Sequence, residues 1–177
     1  MLERSCGAVV YTEQKGVRQY VLVKGGYIGL PKGHMEEGES ERDTAVREVF
    51  EETCVKTRLI PGFRRWVLYH MPNGNDKRVV YFLATFENQE AHRNPDEFLK
   101  VLVMEYPEAI RALTFENDRA TLRAAEGFLQ RSKSKSRATS VAPNGGGRKR
   151  SNTGRKSKAA SQGGSKAGKP DGPKRQG

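Results

Sequence analysis

Cysteine is close to absent from this chain. The two present among 177 residues, Cys6 and Cys54, stand in separate apolar stretches with no metal-ligand spacing, too few to frame a secreted disulfide scaffold. No apolar run approaches the roughly 18 residues a membrane-spanning helix needs, and no basic-plus-apolar leader opens the sequence. These features predict reduced thiols, a cytoplasmic location and no membrane partner. Acidic and apolar residues are scarce in one region. From Arg131 to Gly177, fourteen lysines and arginines meet one acid (Asp171), aromatics are missing, and Val141 is the only large aliphatic. Such a segment buries too little apolar surface to offset the entropy of ordering it. A disordered Lys/Arg/Gly/Ser-rich tail over 131–177 is therefore expected. It either solubilises the chain or offers its clustered cations (Arg148-Lys149-Arg150 and Arg155-Lys156-Ser157-Lys158) to nucleic acid as a partner. The first 130 residues hold 18 bases and 20 acids, so the net charge of +11 belongs to the tail. A length of 130 residues suits one domain with its own core.

Within 1–130 the pattern alternates between strand and helix without strict order. Cys6 to Thr12 and Gln19 to Lys24 read as paired strands around a turn at Glu13 to Gly16. Gly25, Gly26, Gly29 and Pro31 mark a loop leading to Lys32 and His34. Ser40 to Thr53 is expected to be helical. Lys56 to Tyr69 is strand-like with a break at Pro61-Gly62, and Pro72-Asn73-Gly74-Asn75 is a hairpin turn. Lys77 to Phe86 and Lys100 to Tyr106 are strands rich in β-branched and aromatic residues. A short helix over Glu108 to Ala112 and a longer one over Glu116 to Gln130 complete an α+β domain.

The chemistry concentrates between Gly33 and Val55. Glu48 and Glu52 are four residues apart and share a helix face, with Glu51 beside them. Like charges at that spacing are destabilising unless neutralised. A hard divalent cation, Mg2+ or Mn2+, suits carboxylate oxygens, whereas a solvated acidic face is the ordinary alternative. Ala45, Val46, Val49 and Phe50 at core spacing give the helix a defined inner side. Arg47 is placed to grip a carboxylate through two parallel hydrogen bonds.

This stretch resembles the Nudix hydrolase pattern G-x5-E-x7-R-E-U-x-E-E-x-G-U, where U is aliphatic. Gly33, Glu39, Arg47, Glu48, Val49, Glu51, Glu52 and Val55 fall on its fixed positions. Cys54 stands where the pattern has the glycine that closes the helix, a place where positive φ is common. If a left-handed conformation is kept, cysteine costs about 1 kcal/mol there. Leu30-Pro31-Lys32-Gly33-His34, Ile60 to Arg65, Lys77 to Leu83 and the last helix near Phe115 are similar to the diadenosine polyphosphate hydrolases of that superfamily.

The resemblance implies an α/β/α sandwich around a mixed sheet and a Mg2+- or Mn2+-dependent hydrolase of phosphoanhydride bonds. A nucleotide, such as diadenosine tetraphosphate, is the small-molecule substrate it suggests. RNA 5' ends, diphosphoinositol phosphates and modified nucleoside triphosphates are the alternatives. Glu48 and Glu52 are the leading metal ligands, with Glu51 a further ligand or the general base. Glu39 supports the box through Arg47. Glu97, with Asp96 as its competitor, matches the later-loop carboxylate of the subgroup. Lys32 and His34 are candidate phosphate contacts. Tyr81 is the candidate ring for stacking on an adenine, or else an inward core tyrosine. Trp66, Tyr69 and Phe115 are second-ring candidates, while Arg64, Arg65, Lys77 and Arg78 are basic residues near the expected mouth, most of them read as solvated strand positions.

Overall fold

A computed structural model describes residues 2–71 and 74–140. Strands β1 (Leu2–Gln14) and β2 (Val17–Lys24) form an antiparallel hairpin in which Gln14 opposes Val17. Its turn residues, Lys15 (φ 50°) and Gly16 (φ 81°), both take positive φ, as a two-residue primed turn requires. Two short strands follow where the sequence suggested only a loop, β3 (Ile28–Gly29) and β4 (Lys32–His34). Strands of two and three residues carry no periodicity to read. β4 exists because β1 supplies its partners, Gly7 opposite Lys32, Cys6 opposite Gly33 and Ser5 opposite His34.

Helix α1 (Glu41–Thr53) begins at Ser40, whose Oγ accepts the Asp43 N–H at 3.2 Å. Strands β5 (Arg58–His70) and β6 (Asp76–Thr85) are antiparallel, with an irregularity between Leu59 and Arg64 around Gly62 (φ 87°). The expected turn lies between them, though Pro72 and Asn73 fall outside the described residues. Strand β7 (Lys100–Glu105) and helices α2 (Tyr106–Ala112) and α3 (Glu116–Ser140) finish the domain.

The sheet runs β3-β2-β1-β6-β5, with β4 also on β1 and β7 also on β2. β1 and β6 are parallel and the other pairs antiparallel, so the sheet is mixed. On one face Val9, Tyr20, Leu22, Tyr81 and Leu83 pack with Ala109, Leu113, Leu122 and Ala125 of α2 and α3. On the other, Ala8, Val10, Val21 and Ala84 pack with Val49, and Cys6, Val80 and Phe82 with Ala45 of α1. The architecture is the expected α/β/α sandwich. Phe50 departs from the inner side assigned to it and is 44% exposed.

Helix α3 continues ten residues past Gln130, the end given by the sequence reading. Residues 131–140 contain neither Gly nor Pro, and extending a formed helix needs no new nucleus. The Lys133 ammonium also pairs with Glu13 of β1. The expected disorder and nucleic-acid contacts of the tail lie, from residue 141 onward, outside the described residues.

Candidate functional site

Arg47 is the hub of the acidic helix. Its Nε donates to Glu39 Oε1 at 2.6 Å and one terminal nitrogen to Glu39 Oε2 at 2.9 Å, the two-point grip anticipated for it. The same nitrogen donates to the His34 carbonyl at 2.9 Å. The other terminal nitrogen is shared by Glu48 Oε1 (2.9 Å) and Glu51 Oε2 (2.8 Å). The Arg47 guanidinium holds Glu39 well below the usual carboxylate range, at about 2. Thr44 Oγ1 and the Glu36 N–H also donate to Glu39. Glu39 and Arg47 thus form a brace between the loop after β4 and α1.

Glu48 and Glu52 have less support. Burial pushes the Glu48 carboxyl up, opposed by Arg47. Burial pushes Glu52 further, to about 8, although its Oε2 accepts the Lys32 N–H at 2.9 Å. The negative charges of Glu48 and Glu97 add to that rise, which places Glu97 within electrostatic reach of Glu52. Gly33 leaves room for Glu48 in its present position, since a Cβ there would overlap the Glu48 carboxylate. Among the described residues no three His, Cys, Asp or Glu side chains stand in a ligating arrangement. Glu48 and Glu51 are turned onto Arg47, and Glu52 onto the Lys32 amide. The donor set is still the hard-oxygen type that suits magnesium or manganese. Glu52 carries a carboxyl whose ionisation is opposed by burial and lacks a side-chain cation at ion-pair distance among the described residues.

Lys32 links this helix to a second feature. Its ammonium donates to Tyr27 Oη at 3.3 Å and lies 5.4 Å from the Tyr27 ring centroid. Tyr27 in turn meets Phe115 edge to face at 5.0 Å. These residues open a slot of about 170 Å³, lined also by Tyr69, Lys77, Val79 and Asp118. Lys77 feels Lys32, Glu3 and Glu48, and burial holds its ammonium below the usual lysine value. Two cations and two exposed rings therefore adjoin the carboxylates.

A Nudix domain model matches residues 1–125. The chain belongs to the Nudix family. Over 143 residues it is 33% identical to the asymmetrical bis(5'-nucleosyl)-tetraphosphatase of Mus musculus, covering 73% of this chain and 97% of that protein. Its fold is similar to the Caenorhabditis elegans Ap4A hydrolase in a binary complex (TM-score 0.66, 24% identity, 72% of this chain and 98% of that one). It also resembles the NUDIX domain of Shewanella oneidensis NrtR complexed with ADP ribose (TM-score 0.59, 19% identity, covering 73% and 89%).

The side chains singled out around the Nudix box occupy distinct settings. Cys54 closes α1 with φ 58°, the left-handed conformation expected of the displaced glycine. In the structure Tyr81 takes the inward core setting of the two expected for it. It is fully buried, and its hydroxyl donates to Asp118 Oδ1 at 3.1 Å. The tyrosine points inward because it alternates with Val80 and Phe82, which face α1. The His34 side chain is 65% exposed and faces Glu3 at 3.4 Å, while its carbonyl serves Arg47. Trp66 is absent from the slot, whereas Phe115 and Tyr69 line it. Arg64 is committed to Glu41 by two hydrogen bonds of 2.9 Å. Lys77, one of the four basic residues expected near the mouth, lines the slot.

Tyr27 and Asp118 were missed. Tyr27 lies among glycines that read as loop, and Asp118 stands in the first turn of α3, where an acid is ordinary. Asp118 is in fact buried, accepting from both Tyr69 and Tyr81. No sequence signal distinguishes it from Glu116.

Proposed function

We propose that this Nudix domain hydrolyses dinucleoside polyphosphates, splitting diadenosine tetraphosphate asymmetrically into ATP and AMP. The observation that carries the reading is Lys32, which belongs to both halves of the site. Its amide binds Glu52 and its ammonium stands beside Tyr27 in the slot. A nucleoside stacked on the exposed rim that Tyr27 and Phe115 form together would direct its phosphates past Lys32 and Lys77 toward Glu48, Glu51 and Glu52. Stacking one base on an aromatic ring contributes about 1–3 kcal/mol. The two ammonium groups would oppose the phosphate charge that repels an incoming nucleophile. The name of the mouse relative supports the same substrate.

Glu48, Glu51 and Glu52, with Glu97 from the loop before β7, would hold Mg2+ or Mn2+. Such an ion supplies charge neutralisation on phosphate oxygens and makes bound water more acidic. Arg47 and Glu39 keep the helix and loop at fixed separation, a positioning role. Glu51 or Glu52 accepts the proton of the attacking water. The water oxygen forms the new bond to phosphorus, and the bridging phosphorus–oxygen bond breaks with its electron pair leaving on the departing nucleotide.

The test is product analysis with Mg2+ present, on diadenosine polyphosphates, nucleoside triphosphates, nucleotide sugars, diphosphoinositol phosphates and capped RNA, run in oxygen-18 water. ATP and AMP from diadenosine tetraphosphate, at a higher kcat/KM than any other member of the panel, is the expected result. Preference for a different substrate refutes the substrate assignment. Full activity of Glu52→Gln on every substrate refutes the site itself.

A further inference from the structure

Beyond the hydrolase site, the sheet carries a second surface. On the face where α1 packs, the helix covers Cys6, Val80 and Phe82 but not the neighbouring ends of β1 and β5. Leu2 is 52% exposed, Trp66 54% and Leu68 40%, and all three alternate onto this face. The Arg78 guanidinium stacks over the Trp66 ring at 5.3 Å, and Arg42 of α1 stacks over Phe82 at 5.6 Å. Neither arginine has an acidic partner among the described residues, and Arg78 Nε is buried without a hydrogen-bond partner. The acids nearby are already engaged. Glu41 holds Arg64 and stands 3.8 Å from Arg4, and Asp76 holds His70 at 2.6 Å.

An exposed indole backed by an arginine, with a surplus of unpaired guanidinium charge, is a poor fit for an apolar protein partner. Buried cations without acids would make that interface costly. It fits an anionic ligand with flat rings. We infer that this sheet face is a docking platform for single-stranded nucleic acid, with a base on the open face of Trp66 and phosphates at Arg78 and Arg42. Charge complementarity favours that occupant over a second copy of the chain, which would set like-charged arginines against each other. The fourteen lysines and arginines after Gln130 give the full chain a sequence-independent attraction for the same polyanion. The platform is separate from the slot, since Trp66, Arg78 and Arg42 line none of it.

The experiment uses the full chain. Trp66 is the only tryptophan, so its fluorescence reports directly on its ring. Titration with a twelve-nucleotide uridine RNA, and separately with its thymidine DNA counterpart, at low and moderate salt should quench that emission. Anisotropy of the labelled oligonucleotides should show Trp66→Ala and Arg78→Ala each raising Kd about fivefold or more, the low end for one lost stacked base. Both variants should keep wild-type melting temperature to within a few degrees and wild-type hydrolase activity, which shows that they fold. The RNA and DNA arms identify which strand binds more tightly. Oligonucleotide binding that leaves Trp66 emission and both variants' Kd unchanged overturns the proposal and assigns binding to the basic segment alone. Absence of binding at low salt overturns it too. Quenching that follows protein concentration without oligonucleotide, with a matching mass increase in sedimentation, replaces nucleic acid with a second copy.

Discussion

Gly33→Ala separates two reasons for a glycine. Gly33 has no positive φ, so alanine meets no backbone strain there. Its new methyl would overlap the Glu48 carboxylate, the mobile end of a flexible side chain. The cheapest relief is for Glu48 to swing away, so stability should change by less than about 1 kcal/mol. What should suffer is the proposed cation site, because one of its proposed ligands would be displaced. A tenfold rise in the Mg2+ needed for half-maximal rate corresponds to about 1.4 kcal/mol, and a rise at least that large is expected. Gly7 is the control. A Cβ there would overlap the Pro31 carbonyl and lie 2.8 Å from the Lys32 Cα, backbone atoms at the entry to β4. Backbone cannot swing aside, and overpacking of that kind costs about 1–3 kcal/mol. Gly7→Ala should therefore lower the melting temperature by several degrees, while Gly33→Ala should barely move it. Thermal unfolding and Mg2+ titrations of activity on both variants supply the readout. An unchanged Mg2+ dependence in Gly33→Ala refutes the assignment of Glu48 as a ligand. Destabilisation equal to that of Gly7→Ala refutes the view that the carboxylate alone is displaced.

Burial holds Glu52 at about 8 against an ordinary 4.5, so the folded metal-free protein binds that proton more tightly than the unfolded chain. Its stability should fall as pH rises from 4.5 to 8. Apparent Mg2+ affinity should weaken roughly tenfold per pH unit below 8, because the ion needs the carboxylate form; melting curves and Mg2+ titrations at pH 6 and 8 check both signs. Tyr27→Ala and Phe115→Ala should each raise KM about fivefold or more with a smaller change in kcat, as loss of a stacking ring predicts. Tyr81→Phe should instead cost about 1 kcal/mol of stability, having lost one buried hydrogen bond, and leave KM near wild type. Cys54→Gly should stabilise the domain by about 1 kcal/mol, since glycine occupies φ 58° without strain, seen as a higher melting temperature.

The parts legible in the sequence are those set by local spacing. The Glu39–Arg47 brace could be anticipated because the carboxylate helix carries its own periodicity, and Ser40 and Cys54 mark its two ends. The slot could not be anticipated, because its walls come from segments far apart in the chain. Tyr27, Lys77, Phe115 and Asp118 meet only after β6 aligns parallel to β1 and α3 closes over that face. Tyr81 shows how resemblance and geometry part. A tyrosine in an alternating strand faces one side or the other by register alone. Here Gly7 opposite Tyr81 and Glu3 opposite Lys77 put both side chains on the α3 face. Four residues along that face separate a slot-lining lysine from a buried tyrosine. Lys77 lies near the open end of β6, beside Glu3 and Met71, while Tyr81 is under α3, where Asp118 takes its hydroxyl. Depth along the strand, not residue type, decides which of these side chains reaches the slot. The ring that Tyr81 cannot present is offered by Tyr27 and Phe115 at the slot's rim, 46% and 44% exposed.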